Sequence, residues 1–173
     1  MTRRLTMTML LLGAMLLAAC GDGGGGDHGG SVTARAVDGR LNVVATTGQV
    51  GDLVANVGGA RVAVTSLMGP GVDPHLYRAT AGDVQRLDQA DVIFYNGLHL
   101  EAKMAEVLER LGSRKPTVAV AEAVPAADLL SSADYEGAHD PHVWFDPRLW
   151  SHAADAVAEQ LSDLDPDHAD GYR

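Results

Sequence analysis

Cysteine is almost missing from this chain. Cys20 is the only one in 173 residues, which excludes an intramolecular disulfide framework and any cysteine-rich zinc module. Basic side chains are scarce too. Thirteen Lys and Arg stand against 23 Asp and Glu, a net charge of −10, with no basic stripe to meet nucleic-acid phosphates. There is no nucleophilic serine motif, no long histidine-rich run and no internal repeat. What is present is 46% hydrophobic and 21% charged, too apolar for a disordered chain and long enough to close one core.

The N-terminus says where that core resides. Residues 1–19 read as an export signal: Arg3 and Arg4, then an apolar run over 5–17 broken by Thr6, Thr8 and Gly13, too short for a comfortable membrane span. Leu17-Ala18-Ala19-Cys20 resembles a bacterial lipobox, which implies cleavage before Cys20 and a diacylglyceryl group on its sulfur. Several acyl chains anchor stably where one is marginal. The plainer alternative is an ordinary small-residue cleavage site, but the chain's only cysteine stands where lipidation needs it. Residues 20–39 then form a tether. Their GDGGGGDHGG segment carries too much glycine entropy to fold, and His28 within it is expected to be solvated.

From residue 40 onward strand-like and helix-like segments alternate. An apolar run over 41–46 is followed by Val50, Leu53, Val54 and Val57 at helical spacing, stopped by Gly58-Gly59. A β-branched run over 61–67 leads into a loop over 68–78. Thr80 opens a second helix, with Asp83 as its capping-box partner. A third strand is expected over 91–95, an amphipathic helix over 101–111 and a fourth strand over 117–120. This alternation predicts an α/β lobe over 40–164: a parallel four-stranded sheet flanked by helices, with right-handed crossovers. A long loop precedes a helix over 147–164. Asp165-Pro166 then has the cap-and-first-turn signature of a further helix, which Arg173 would cut short, so a longer natural chain is expected.

In an open parallel sheet, ligands sit beyond the carboxyl ends of the strands. The loops expected there carry Asp73-Pro74-His75 and Asp140-Pro141-His142. Proline fixes its own φ and pushes the preceding Asp toward extended geometry, so each His is presented from a stiff turn. A neutral imidazole is a common ligand for first-row metals when a partner orients its other nitrogen. A single such His is more often a surface or hydrogen-bonding residue. Two on one edge could supply half of a four-ligand metal site.

VVATTGQVGDLVANVGG, SLMGPGVDPHLY, DVIFYNGLHLE and DPHVWFDP together resemble the substrate-binding lipoproteins of manganese, zinc and iron ABC transporters (the cluster A-I solute-binding family). The resemblance implies two α/β lobes joined by a long helix, with a divalent metal (Mn2+, Zn2+ or Fe2+) held between them as cargo. It makes this chain the N-terminal lobe, with residues 165–173 as the start of the connecting helix. It assigns His75 and His142 as metal ligands; the remaining two would lie beyond Arg173. It further implies delivery to a permease and, through it, an ATPase, from a lipid-anchored monomer on the outer face of the cytoplasmic membrane. Two imidazoles alone leave the ion's charge unbalanced, so residues 40–173 are expected to bind metal more weakly than a two-lobe chain.

His99, Glu101 and Asp146 are expected to support the site from behind the ligands, Glu101 also favouring a helix start. Asp73 and Asp140 are candidates to orient imidazoles, though Asp before Pro is as often plain turn chemistry. His139 is an alternative ligand but is expected in an exposed loop, and His152 and His168 on helix surfaces. Trp144 and Phe145 either shield the site from water or, the simpler reading, pack in the core. Two other functions compete with metal capture. A metal-dependent hydrolase needs an open coordination position beside a free carboxylate base. A surface adhesin would need a partner-binding face that nothing here encodes. The strand-to-helix turn TTGQVG has two of the three glycines of a dinucleotide fingerprint and no acidic residue at the end of the next strand, which makes that reading weak.

Overall fold

Four short runs pair in parallel in a computed structural model that describes residues 39–133 and 136–173. They are β1 (Leu41–Ala45), β2 (Val62–Ser66), β3 (Val92–Tyr95) and β4 (Thr117–Ala119), in the spatial order β2-β1-β3-β4. Leu41 pairs with Val62, Val43 with Val92 and Ile93 with Thr117. The chain reverses its direction of travel across the sheet between β1 and β3, the kind of switch point where open sheets hold ligands. The leader, Cys20 and nearly all of the tether lie outside the described residues. Among the described residues no helix is long and apolar enough to cross a membrane.

Both faces of the sheet are buried, as parallel strands require. Leu41, Val43, Ala45, Val92 and Phe94 point to one side, where they meet α1 (Gly48–Gly58) and α4 (Pro147–Leu164) through Val50, Leu53, Val54, Ala153, Val157 and Leu161. Val44 and Ile93 point to the other, against α2 (Ala81–Gln89) and α3 (Ala105–Gly112) through Leu87, Leu108 and Leu111. The helix starts follow local chemistry. Thr80 and Asp83 form the full capping box expected of them, and Asp146 caps α4 by accepting from the Arg148 amide, with Pro147 in the first turn.

Two segments depart from the sequence reading, each because a side chain is recruited elsewhere. The helix expected from residue 101 begins instead as a left-handed turn, with Gly97, Leu98 and His99 at φ of 86°, 51° and 65°, followed by a 3-10 turn over Ala102–Met104. After α4, Asp165 does not cap an α-helix; Pro166–Gly171 is a 3-10 run. The Asp165 carboxylate is drawn to Arg61 Nη2 (3.1 Å), Tyr172 Oη (2.6 Å) and His168 Nδ1 (2.8 Å), which pin this end of the chain to the start of β2. Burial opposes its ionisation, yet hydrogen bonds from Tyr172, His168 and Arg61 prevail and hold it at about 2.

Candidate metal centre

The carboxyl ends of the strands release the loops that carry the two Asp-Pro-His motifs. In each, the Asp carboxylate accepts the amide of the His two residues on: His75 N to Asp73 Oδ1 and His142 N to Asp140 Oδ1, both at 2.9 Å. This is the Asx turn that an aspartate followed by a fixed proline φ favours. The turns bring residues 67 positions apart together. His75 Nε2 lies 3.4 Å from His142 Nε2, with ring centroids 5.5 Å apart and planes tilted by 52°. Two imidazole nitrogens bound to one tetrahedral ion at about 2.0–2.1 Å must stand roughly 3.3–3.4 Å apart. The separation matches that bite.

The electronic arrangement suits a cation as well. His142 Nδ1 lies 2.7 Å from Asp140 Oδ1. The His142 amide and ring lower the Asp140 carboxyl below its ordinary range, so it is an ionised acceptor at neutral pH. An ionised acceptor calls for the proton on Nδ1, which leaves the Nε2 lone pair facing His75. Trp144 stands edge-on to the His142 ring at 5.1 Å between centroids. Both histidines are half-buried and line two open recesses, one of about 850 Å³ bounded by Thr47, Asp52 and Trp144, the other of about 540 Å³ bounded by Leu98, His99 and His139. Among the described residues no group of three His, Cys, Asp or Glu stands together in a way that could hold a metal ion. The lobe offers a pair of candidate ligands.

The residues expected to support the site sort differently from one another. Glu101 is 3% exposed, and its carboxylate accepts from Thr46 Oγ1 (2.6 Å), the Asn96 amide (2.8 Å) and the Gly97 amide (3.1 Å). Burial pushes its pKa up while those three donors pull it down. It fastens the end of β3 to the end of β1 beneath the site. A Cβ on Gly97 would also stand 2.9 Å from the Ala119 Cβ, so that turn is closed to other residues on two counts. His99 is exposed and lines the smaller recess beside both ligand candidates. Asp146 pairs with Arg148 at 2.7 Å, which holds it at about 2, and makes no hydrogen bond to either candidate ligand.

Other expectations needed revision. His139 is not in an exposed loop: it is half-buried, bridges to Ser131, and its buried Nδ1 has no partner among the described residues. Phe145 is 80% exposed rather than packed, because the 3-10 turn over Val143–Phe145 points Val143 inward instead. His152 is half-buried on α4. One participant was not found from sequence at all. Asn96, fully buried, donates to the Pro141 carbonyl at 3.0 Å across 45 residues, a contact with no local sequence signal.

Comparison with known proteins agrees with this fold. The family model described as zinc-uptake complex component A, periplasmic, matches residues 43–173. The manganese-binding lipoprotein MntA of Bacillus subtilis is 45% identical over 167 residues, covering 96% of this chain and 52% of the relative. The manganese ABC transporter substrate-binding lipoprotein PsaA of Streptococcus pneumoniae is 31% identical, covering 96% of this chain and 53% of the relative. The solved periplasmic zinc-binding protein TroA of Treponema pallidum superposes with a TM-score of 0.73 at 48% identity, over 78% of this chain and 48% of that one. The chain thus spans about half the length of the relatives it matches. With its fold, its residue pattern and these likenesses in agreement, the chain belongs to the zinc-uptake complex component A family, whose members include the metal-binding lipoproteins of ABC transporters.

Proposed function

We propose that this lobe captures a divalent transition-metal ion, Mn2+, Zn2+ or Fe2+, as the cargo of an ABC-type importer, with His75 and His142 as two of its ligands. The observation that supports this most is the 3.4 Å between their Nε2 atoms, the bite of one small cation. The other coordination positions are filled from outside the described residues. Hard carboxylate oxygens among those partners would suit manganese, and further imidazoles would suit zinc. The protein is held by acyl chains on Cys20 at the outer face of the cytoplasmic membrane. There it hands the ion to a permease driven by an ATPase.

Capture is favoured over hydrolysis by what the carboxylates beside the pair are doing. Asp73 and Asp140 each accept from their own histidine, which leaves neither placed as a base beside an open coordination position. Titration calorimetry of the full chain with Mn2+ and with Zn2+ tests the reading. The His75→Ala/His142→Ala variant is expected to lose high-affinity binding of both ions while keeping its far-UV circular dichroism. Unchanged affinity in that variant would overturn the assignment. Metal-dependent turnover of esters or amides by the wild type would favour the hydrolase instead.

A further inference from the structure

A ligand is only as well placed as the peptide that carries it. The peptide joining Pro141 to His142 is held at both ends: its N–H goes to Asp140 Oδ1 at 2.9 Å, and its C=O accepts from Asn96 Nδ2 at 3.0 Å. With the plane pinned on both sides and the Pro141 φ fixed by its ring, the direction in which His142 leaves the backbone is set. The matching peptide of the other motif has its N–H tied to Asp73, but among the described residues nothing donates to the Pro74 carbonyl.

Asn96 is itself held from below. It is fully buried; its amide donates to Glu101 Oε1 at 2.8 Å, its carbonyl accepts from the Ala121 amide at 2.9 Å, and its Nδ2 also reaches the Gly97 carbonyl at 3.1 Å. Glu101 closes the strained turn that follows through the Gly97 amide. Yet among the described residues Asn96 Oδ1 is buried with no hydrogen-bond partner. A buried amide that leaves half its capacity unmet is a poor stabiliser of a core, where an apolar residue of similar size serves better. What the side chain does accomplish is the tie to Pro141.

We propose that Asn96 is a positioning residue for metal capture: its side-chain amide, carried on a backbone that Glu101 holds through the Asn96 N–H, fixes the peptide that aims His142 at the ion. This rests on His142 being a ligand, as proposed above. Asn96 has no need to touch the metal. It sets where Nε2 stands before the ion arrives, so its loss weakens binding and alters coordination geometry without removing a ligand.

The test uses the full chain with Zn2+ alone for affinity and Co2+ alone for its d–d absorption, which reports ligand geometry. Asn96→Ala is expected to lower zinc affinity about 10-fold and to change the shape of the cobalt bands, within the 10–100-fold range typical of residues that orient a ligand. Asn96→Asp, which sets an acceptor against the Pro141 and Gly97 carbonyls, is expected to lose more. Leu161→Val, which loosens the core far along α4, lowers the thermal midpoint but is expected to leave affinity and cobalt spectrum at wild-type values. Folded Asn96 variants with wild-type affinity and cobalt bands would overturn the proposal. So would a loss in Leu161→Val that matches theirs, or failure of both Asn96 variants to fold, since the amide would then serve stability alone. If His142→Ala itself bound zinc like the wild type, the ligand assignment would fall first.

Discussion

Asp73-Pro74-His75 and Asp140-Pro141-His142 are the same tripeptide in one chain, folded into the same Asx turn, and yet they are not equally held. In the first, the turn is the whole restraint: the His75 amide meets Asp73, and among the described residues the ring makes its one hydrogen-bond contact with His142. In the second, the same aspartate also takes the ring's Nδ1, Asn96 takes the proline carbonyl, and Trp144 flanks the imidazole. One histidine is set in a frame and the other is carried on a loop. Such a pair can present a fixed half of a binding site and adapt with the other half, a division that suits the metal capture and delivery proposed above. A motif specifies a turn; the surroundings specify how firmly the turn is aimed.

The same lesson extends to every aspartate that precedes proline here, four of the chain's seven prolines following one. Asp146-Pro147 starts α4, whose span over 147–164 was legible in the sequence because cap and first-turn proline agree with the apolar spacing behind them. Asp165-Pro166 looks alike but starts no α-helix, since Arg61 and Tyr172 claim the carboxylate from elsewhere in the fold. The strands and most of the helices were readable for the same reason: periodicity and caps are local. The two ligand candidates were readable because topology puts both loops at one edge of the sheet. The roles of Asn96 and Glu101 were not, because a buried polar network joins residues through space and leaves no mark on spacing.

The largest expected effect tests whether the two turns serve one site. His75→Ala and His142→Ala should each reduce Zn2+ affinity by more than about 100-fold in calorimetry, beyond what residues acting through a ligand typically cost. A loss in one variant only would mean the rings do not share an ion. The next effect tests the inequality. Asp140→Asn, which weakens the acceptor for Nδ1, should cost roughly 10-fold in affinity, whereas Asp73→Asn, with no ring to orient, should cost much less. Equal losses would erase the contrast between frame and loop.

Smaller effects concern the Asp-Pro turns that carry no ligand. Asp165 sits at about 2, below its ordinary 3.8, so its contribution is complete above about pH 4 and is lost as pH falls through about 2. Thermal midpoints measured from pH 5 to pH 2 should therefore fall less steeply in Asp165→Asn than in the wild type, with zinc affinity at neutral pH unchanged. Smallest of all, Asp146→Ala should lower the thermal midpoint by a few degrees through loss of the α4 cap and leave metal affinity as it was. A large affinity loss there would put Asp146 among the residues that support the site.

The most direct check is a count of imidazoles around the bound ion. X-ray absorption at the zinc edge of the loaded full chain should show scattering from at least two histidine rings at about 2.0–2.1 Å, with one fewer in His75→Ala and one fewer in His142→Ala. Zinc that keeps the same number of imidazoles in both variants would contradict the shared site on which the account depends.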